Sequence, residues 1–189
     1  MYNIIIAGVG GQGTLIASRV LGSVYMSLGL DVKVSEVHGM SRRGGSVVTY
    51  VRAGERVFSP IVQDGTADLL LVFEELEALR WLHCLKKGGT LAVNRQKIPP
   101  MPVITGVEKY PDNIIENIVA SGVNCIAVDA TALAIEAGTA RASNVVLMGA
   151  ASKSMDIDYD VWKAALIENV PSRFIEANLS AFDMGRNAV

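Results

Sequence analysis

The residues best suited to chemistry form a glycine-rich turn near the start of the chain. An apolar run at residues 4–7 leads into this turn, and a segment of helical period follows it. The candidate ligand-contacting residues are Gly8, Gly10, Gly11, Gln12 and Gly13. Glycines let backbone N–H groups approach an anion, and a helix N-terminus adds about half a positive charge. The turn is therefore a candidate phosphate cradle, and tight packing of strand against helix is the alternative use of the same glycines.

A second glycine-flanked loop carries two adjacent arginines. It follows the apolar run at residues 32–34, and its candidate ligand-contacting residues are Ser41, Arg42, Arg43, Gly44 and Gly45. Guanidinium groups bind phosphate through paired hydrogen bonds, and they also form salt bridges across subunit interfaces or stay solvated. Because neighbouring strands of an open α/β sheet end side by side, we expect both loops to share one crevice. This crevice would hold a phosphate-bearing ligand or meet a partner that holds one.

Two residues beside the second loop keep other interpretations open. His38 is the one candidate for a catalytic role, and a structural hydrogen bond is its alternative. Glu36 follows Gly13 by 23 positions, near the place where a dinucleotide-binding turn would have its ribose-binding carboxylate. The arginine pair would suit a 2′-phosphate instead. A stand-alone NAD(P)-dependent oxidoreductase is therefore one alternative function, and a non-enzymatic interaction module is another.

Three further carboxylates and the second histidine follow a predicted buried strand. Glu74, Glu75 and Glu77 come where that strand ends, and they are predicted as first-turn helix residues favoured by the helix dipole. Contact with the crevice is the alternative. His83 is predicted near the C-terminus of the same helix, where a positive charge is favourable.

These residues are positioned by short apolar runs that alternate with helical segments, a pattern typical of a mainly parallel sheet covered by helices. Strands are predicted at residues 3–7, 32–37, 69–73, 90–93 and 124–128. Helices are predicted at residues 13–28, 76–85, 113–120, 131–136, 145–153, 159–168 and 174–184.

Two segments depart from this alternation. Residues 46–52 and 56–59 are β-rich and flank a glycine-containing turn, which predicts a hairpin. The prolines between residues 94 and 111 predict an exposed connector with one extended piece at 103–105. The predicted fold is α/β: a single domain over residues 1–189 with three α/β/α layers, a mostly parallel mixed sheet, a hairpin insertion near 46–60 and a helical part at 143–189.

Composition restricts the class of protein. The 189 residues carry a formal net charge of −2, which argues against a dedicated nucleic-acid binder. No apolar stretch reaches the roughly 20 residues of a membrane span, and the chain opens without a basic and apolar leader, so a cytoplasmic location is expected. Half of the residues are hydrophobic and 19% are charged, which favours a buried interface with a partner or, for the isolated chain, a homodimer. Cys84 and Cys125 are too few for an iron–sulfur cluster or a four-thiolate zinc site, and both are predicted as core residues; no metal ligand is predicted.

Three segments carry a resemblance to a known family. They are Ile6–Gly13, Ser35–Val47 and Ala67–Arg80, and the likeness extends in order through residues 1–150. The chain resembles the gamma subunit or domain of the 2-oxoacid:ferredoxin oxidoreductases, in particular the members acting on aryl pyruvates such as indolepyruvate. The second segment is the most specific of the three.

The resemblance implies a role as one subunit of a larger enzyme. Such a complex decarboxylates a 2-oxoacid oxidatively, passes the electrons through iron–sulfur clusters to ferredoxin, and releases an acyl-coenzyme A thioester. Thiamine diphosphate, Mg²⁺ and the clusters are expected in a large partner subunit, with none bound by this chain alone, and coenzyme A is expected as co-substrate. The chain would complete the active site and close its two loops over coenzyme A.

Overall fold

The computed structural model describes residues 1–38 and 44–189, with His38 described in its backbone alone. Six strands form one sheet in the described residues: β1 (Tyr2–Val9), β2 (Asp31–His38), β3 (Ser46–Gly54), β4 (Ala67–Val72), β5 (Leu85–Asn94) and β6 (Asn124–Val128). The α-helices are α1 (Thr14–Ser27), α2 (Glu75–Trp81), α3 (Met101–Ile104), α4 (Ile114–Ala120), α5 (Ala130–Glu136), α6 (Ser143–Ser152), α7 (Tyr159–Asn169) and α8 (Ile175–Asn187). The five strands and seven helices expected from the sequence are all present. β5 begins five residues earlier than predicted, and α2 ends at Trp81 instead of residue 85 because residues 82–84 form a 3-10 turn.

The strands lie in the order β2-β3-β1-β4-β5-β6. β1, β4, β5 and β6 are parallel, whereas β3 runs antiparallel to both of its neighbours, β1 and β2. The sheet is therefore mostly parallel and mixed, as predicted. β1, β2, β4, β5 and β6 all end at one edge of the sheet, the carboxyl edge, where the functional residues were expected.

The predicted hairpin within residues 46–60 is wrong. Residues 46–54 form the single strand β3, and residues 56–59 form no strand. The antiparallel partners of β3 come from β2 and β1, with Val34 and Ile4 both opposite Val51. A strand buried between two neighbours satisfies its backbone groups on both sides, so the second β-rich run has no place left in this ladder.

Side chains alternate across the sheet and build two cores. Ile4 and Ile6 of β1 pack on the face covered by α1, α6, α7 and α8, whereas Ile5 and Ala7 pack on the face covered by α2 and α4. Alternation with a period of two sends successive residues to opposite faces, so a strand buried on both sides is apolar throughout. The three-layer α/β/α arrangement is thereby confirmed.

The proline-rich connector contains a short helix, α3, where an extended piece was predicted at residues 103–105. Pro100 is the N-cap and Pro102 is the second helical residue. Proline is tolerated in the first turn because its missing N–H would find no partner inside the helix. The connector is otherwise irregular, as expected.

The C-terminal helices pack unusually closely. A Cβ on Gly149 of α6 would lie 2.1 Å from the Phe182 carbonyl oxygen, and a Cβ on Gly185 of α8 would lie 1.9 Å from the Val146 carbonyl oxygen. Only glycine permits this approach of two helix backbones. Among the described residues, the helices are too short or too polar to cross a membrane.

Candidate functional site

The Gln12 side chain fills the inside of the glycine turn after β1 and forms hydrogen bonds there. Gln12 Oε1 accepts the Val9 N–H at 2.7 Å, while Gln12 Nε2 donates to the Phe73 carbonyl and to Gln96 Oε1, both at 2.9 Å. A Cβ on Gly8 would lie 2.8 Å from Gln12 Oε1. Gly8 and Gln12 therefore serve the packing of three strand ends, and Gln12 directs its amide toward protein atoms.

Gly11 and Gly13 of the turn border a cavity, here called the second cleft. Its volume is about 450 Å³, and its lining includes Gly11, Gly13, Gln96 and Arg141. The fourteen-residue helix α1 begins after Gly13 with no side-chain cap, so the positive end of its dipole opens toward this cleft. Gly11 and Gly13 have φ of 109° and 86°, values that favour glycine.

The two glycine loops meet, yet their described residues line different cavities. The Gly10 N–H donates to the Gly45 carbonyl at 2.9 Å, which joins the loops at the carboxyl edge of β1. Gly44 and Gly45 border the first cleft, which has a volume of about 540 Å³. The first cleft is lined by Val9, Gly44, Gly45, Ser46, Glu74, Leu76, Glu77, Arg80, Ile98, Pro99, Pro100, Met101 and Ile104.

Three of the predicted ligand-contacting residues, Ser41, Arg42 and Arg43, lie outside the described residues, as does the side chain of His38. The described residues on either side of that segment can be placed. His38 ends β2 opposite Val47, and Gly44 borders the first cleft. The described residues that flank the arginine loop therefore lie at the carboxyl edge.

Glu74 anchors one wall of the first cleft. It is 1% exposed and is the N-cap of α2, accepting the Glu77 N–H at 3.0 Å. Its other oxygen accepts the Ile98 N–H at 3.0 Å and the Tyr110 hydroxyl. The Tyr110 oxygen in turn accepts the Leu76 N–H at 3.1 Å. Burial and the adjacent Glu74 carboxylate raise the pKa of Tyr110 above its ordinary value, so this phenol stays protonated and donates.

Glu77 forms a second buried carboxylate centre at the cleft. Its oxygens accept from Ser46 Oγ at 2.6 Å and from Arg80 Nη1 at 2.5 Å. Arg80 is half-exposed and supplies a positive charge to the cleft lining. The prediction that Glu74, Glu75 and Glu77 belong to the helix start is confirmed, because Glu74 caps α2 and the other two lie in its first turn.

The opposite wall of the first cleft is apolar. Pro99, Pro100, Met101 and Ile104 line it, and Met101 and Ile104 are also exposed. Val107, three residues after Ile104, is also exposed, and the exposed side chains of Met101, Ile104 and Val107 are here called the apolar ridge. An exposed apolar patch beside a polar cleft is typical of a surface that another chain or a ligand covers.

Strand order argues against a dinucleotide site. In the doubly wound dinucleotide fold, the strand bearing the acidic residue is next to the strand that leads into the glycine turn. Here β3 lies between β1 and β2, so the strand that carries Glu36 is about 9–10 Å from β1, two strand spacings where the dinucleotide fold has one. Gln12 also occupies the space inside the turn. This geometry does not match the nicotinamide alternative.

Residues missed by sequence reasoning hold the strand ends together. Asn94 ends β5, and its side chain accepts the Ala130 N–H at 2.9 Å and lies 3.3 Å from Gln96 Oε1. Gln96 joins Gln12 across 84 positions of sequence. Their one local signal is that polar residues directly follow the buried strand β5.

The protein has a three-layer α/β fold, and its candidate site lies at the carboxyl edge of the sheet. Comparison with known proteins identifies its class. The chain belongs to the pyruvate ferredoxin/flavodoxin oxidoreductase family, whose model matches residues 3–188. This finding confirms the family expected from the motifs.

Individual relatives are similar over nearly the whole chain. "Indolepyruvate oxidoreductase subunit IorB" of Pyrococcus horikoshii is 44% identical, covering 99% of this chain and 95% of that protein. The subunit of the same name from Methanothermobacter thermautotrophicus is 37% identical over 99% and 97% of the two chains. "2-oxoglutarate synthase subunit KorC" from that organism is 31% identical over 97% and 93%.

Solved structures share the fold. The keto/oxoacid ferredoxin oxidoreductase gamma subunit from Geobacter sulfurreducens has a TM-score of 0.74 at 23% identity, covering 100% of this chain and 98% of that chain. The 2-oxoglutarate:ferredoxin oxidoreductase from Magnetococcus marinus, solved with 2-oxoglutarate, coenzyme A and succinyl-CoA bound, has a TM-score of 0.73 at 23% identity, and the match covers 99% of this chain but 30% of that one.

Proposed function

We propose that this chain is the small subunit of a 2-oxoacid:ferredoxin oxidoreductase that acts on an aryl pyruvate such as indolepyruvate. The observation that carries the proposal is the whole-chain similarity, at 37–44% identity, to four subunits named for indolepyruvate oxidoreductase. The complex would oxidise and decarboxylate the oxoacid to an acyl-coenzyme A thioester and pass the electrons to ferredoxin. The isolated chain would be inactive.

The chain's own residues support a role in completing an active site held by a partner. Its two cysteines lie on separate elements, and a cluster needs about four thiolates, so these residues do not fit an iron–sulfur centre. Thiamine diphosphate, Mg²⁺ and the clusters are accordingly assigned to a large partner subunit. The apolar ridge of Met101, Ile104 and Val107 would pack against that subunit and keep water out of the first cleft.

Coenzyme A would contact the carboxyl edge through its phosphates. The dipole of α1 and the exposed Arg141 of the second cleft supply positive potential there. Arg42 and Arg43, which lie outside the described residues, are the further candidates for phosphate contact. Pro99, Pro100, Met101 and Ile104 line the first cleft with apolar side chains, so the thioester end of the substrate is the part that we assign to the first cleft. The first cleft would thus enclose the acyl group.

Reconstitution tests the proposed function directly. The large subunit is expressed with and without this chain. The rate of viologen reduction is then measured anaerobically, with indolepyruvate as electron donor and coenzyme A as acyl acceptor. We expect reduction to depend on this chain. Equal rates with and without it would refute the proposal.

Charge removal tests the coenzyme A assignment. Arg42→Ala/Arg43→Ala should raise the apparent KM for coenzyme A about tenfold or more, because each charge-assisted contact contributes well over 1 kcal/mol, while the KM for the oxoacid changes little. Arg56→Ala is the matched control, since Arg56 lies beyond the other end of β3. An equal rise in both KM values would assign the pair to a subunit interface, and unchanged kinetics would support a purely packing role for the loop.

A further inference from the structure

Three potential metal ligands meet at the amino edge of the sheet, opposite both clefts. Asp64 lies in the turn before β4, and His83 and Cys84 lie in the 3-10 turn that leads into β5. Because β4 and β5 are parallel neighbours, the segments that precede them are brought together. The Gly65 N–H donates to the His83 carbonyl at 3.1 Å, which ties the two segments to each other.

The distances among the three donor atoms match a tetrahedral ion. Cys84 Sγ lies 3.5 Å from Asp64 Oδ1 and 3.4 Å from His83 Nε2, and His83 Nε2 lies 3.6 Å from Asp64 Oδ1. Zinc bonds of about 2.3 Å to sulfur and about 2.0–2.2 Å to nitrogen and oxygen place tetrahedral donors roughly 3.4–3.6 Å apart. All three separations fall in this range, so the three donor atoms are spaced as the ligands of a tetrahedral zinc ion are.

The histidine is oriented as a ligand. His83 Nδ1 lies 2.9 Å from the Arg80 carbonyl oxygen, to which it donates as an N–H, and this leaves the lone pair of Nε2 directed at the sulfur and the carboxylate. Metal-binding histidines characteristically donate their other ring N–H to a carbonyl or carboxylate. The Trp81 ring also stacks on the imidazole, with 6.2 Å between centroids.

Burial differs among the donors in a way that leaves one position open. Cys84 is 2% exposed, whereas the side chains of Asp64 and His83 are 80% and 57% exposed. The thiol therefore forms the floor of the site, and the fourth tetrahedral position faces solvent. One sulfur, one nitrogen and one oxygen favour zinc over magnesium or calcium, which prefer oxygen alone.

The environment of the thiol argues against a nucleophilic cysteine. Burial, and then the hydrogen bond to Asp64, raise the pKa of Cys84 to about 11, whereas reactive cysteines have a lowered pKa. The titratable groups that face this thiol are Asp64, His83 and Tyr50. Without an ion the thiol is protonated at neutral pH and donates to Asp64.

We propose that Asp64, His83 and Cys84 bind one thiophilic divalent cation, Zn²⁺, with a solvent molecule or a partner's group as the fourth ligand. On binding, the S–H bond of Cys84 breaks, the sulfur–metal bond forms, and the proton goes to solvent, with no change of oxidation state. The site does not depend on the proposed enzymatic function, because it lies at the other edge of the sheet.

Metal titration of the full chain tests the proposal. The protein is stripped with a chelator under anaerobic reducing conditions and titrated with Co²⁺ and then with Zn²⁺. We expect one equivalent of Co²⁺ to bind with a thiolate-to-cobalt charge-transfer band and the visible bands of a tetrahedral ion, both abolished by Zn²⁺. Absence of the charge-transfer band in the native chain would overturn the proposal.

Variants identify the ligands. Cys84→Ser should remove the charge-transfer band and weaken Zn²⁺ binding by at least about tenfold, whereas Cys125→Ser, which alters the other cysteine, should leave both unchanged. Asp64→Asn and His83→Gln change exposed side chains and keep the test valid if Cys84→Ser fails to fold; each should also weaken binding about tenfold or more. Retained affinity in both of these variants, or an equal loss in Cys125→Ser, would refute the assignment.

Discussion

Replacing Glu74 by alanine should destabilise the fold far more than replacing an ordinary surface carboxylate. The residue is 1% exposed and accepts three hydrogen bonds, from the Glu77 N–H, the Ile98 N–H and the Tyr110 hydroxyl. Loss of an N-cap costs about 1 kcal/mol. A buried N–H left without an acceptor costs about 1–3 kcal/mol, and hydrogen bonds to a charged group contribute about 1.5–3 kcal/mol each.

Relief of the carboxylate's burial offsets part of that loss, so the expected decrease in the free energy of unfolding is about 3–5 kcal/mol. For a chain of this length, such a change lowers Tm by roughly 6–20 °C. Urea denaturation followed by circular dichroism measures it, and the m-value should stay constant if the native and unfolded states are otherwise unchanged. Glu136→Ala, at an exposed position at the end of α5, is the matched control and should change stability by less than about 0.5 kcal/mol.

A double-mutant cycle tests whether the hydrogen bonds act as one unit. Tyr110→Phe alone should cost about 1–3 kcal/mol, because Leu76 loses its acceptor and Glu74 loses a donor. Combined with Glu74→Ala it should cost less than the separate effects together, with a coupling energy of about 0.5–3 kcal/mol. A Glu74→Ala effect no larger than that of Glu136→Ala, or strict additivity in the cycle, would refute this account of the cleft wall.

Three other substitutions have defined outcomes. Gly13→Ala should destabilise the fold by more than about 1 kcal/mol, because φ is 86° and the new Cβ would lie 2.5 Å from Asn144 Nδ2. Gly22→Ala should stabilise the fold by about 0.5–1 kcal/mol, because Gly22 lies inside α1 and a Cβ there would meet nothing within 4 Å. Thermal melts of both variants check this contrast. Gly185→Ala should cost about 3 kcal/mol or more, or prevent folding, because its Cβ would overlap a backbone carbonyl, and yield of folded protein and Tm are the measurements. Burial raises the pKa of Glu75 above its ordinary value of 4.5, so the folded state favours the protonated carboxyl, and this stabilisation is present at low pH and is lost as pH rises through the folded-state pKa. Glu75→Gln should therefore raise the free energy of unfolding at pH 7.5 and change it little near pH 4. Equal effects of the substitution at both pH values would contradict this prediction.

The sequence was sufficient to predict secondary structure where residues close together in the chain decide it. Runs such as residues 69–73 indicate strands because apolar, β-branched and leucine residues suit a strand buried on both faces. The carboxylates that follow this run indicated the start of a helix, and the structure shows Glu74 as its N-cap. The presence of seven helices followed from apolar periodicity in the same way, although α2 ends at Trp81 and not at residue 85. The segment Ser35–Val47, with its paired arginines, carried enough specific residues to indicate the family, which the family match confirms.

Pairing of distant segments limited what the sequence could predict. A β-rich run does not specify its neighbours, since any two strands offer the same backbone donors and acceptors. Residues 56–59 were therefore assigned to a hairpin, whereas β3 found its partners in β1 and β2. The insertion of β3 also places Glu36 two strands from the glycine turn and makes the nicotinamide interpretation, which local spacing allowed, unsuitable.

Sequence alone thus located the glycine turns and most of the strands and helices, because backbone preference and burial pattern are properties of short segments. It missed helix α3 of the proline-rich connector. Only the tertiary structure shows that the Gln12 amide donates hydrogen bonds to Phe73 and Gln96, and that Asp64 lies 3.6 Å from His83 and 3.5 Å from Cys84. Those contacts join positions 19 to 84 residues apart. Strand order sets their geometry, because hydrogen bonds and metal coordination require donor atoms to meet within a few tenths of an ångström, and separation along the chain contains no such distance.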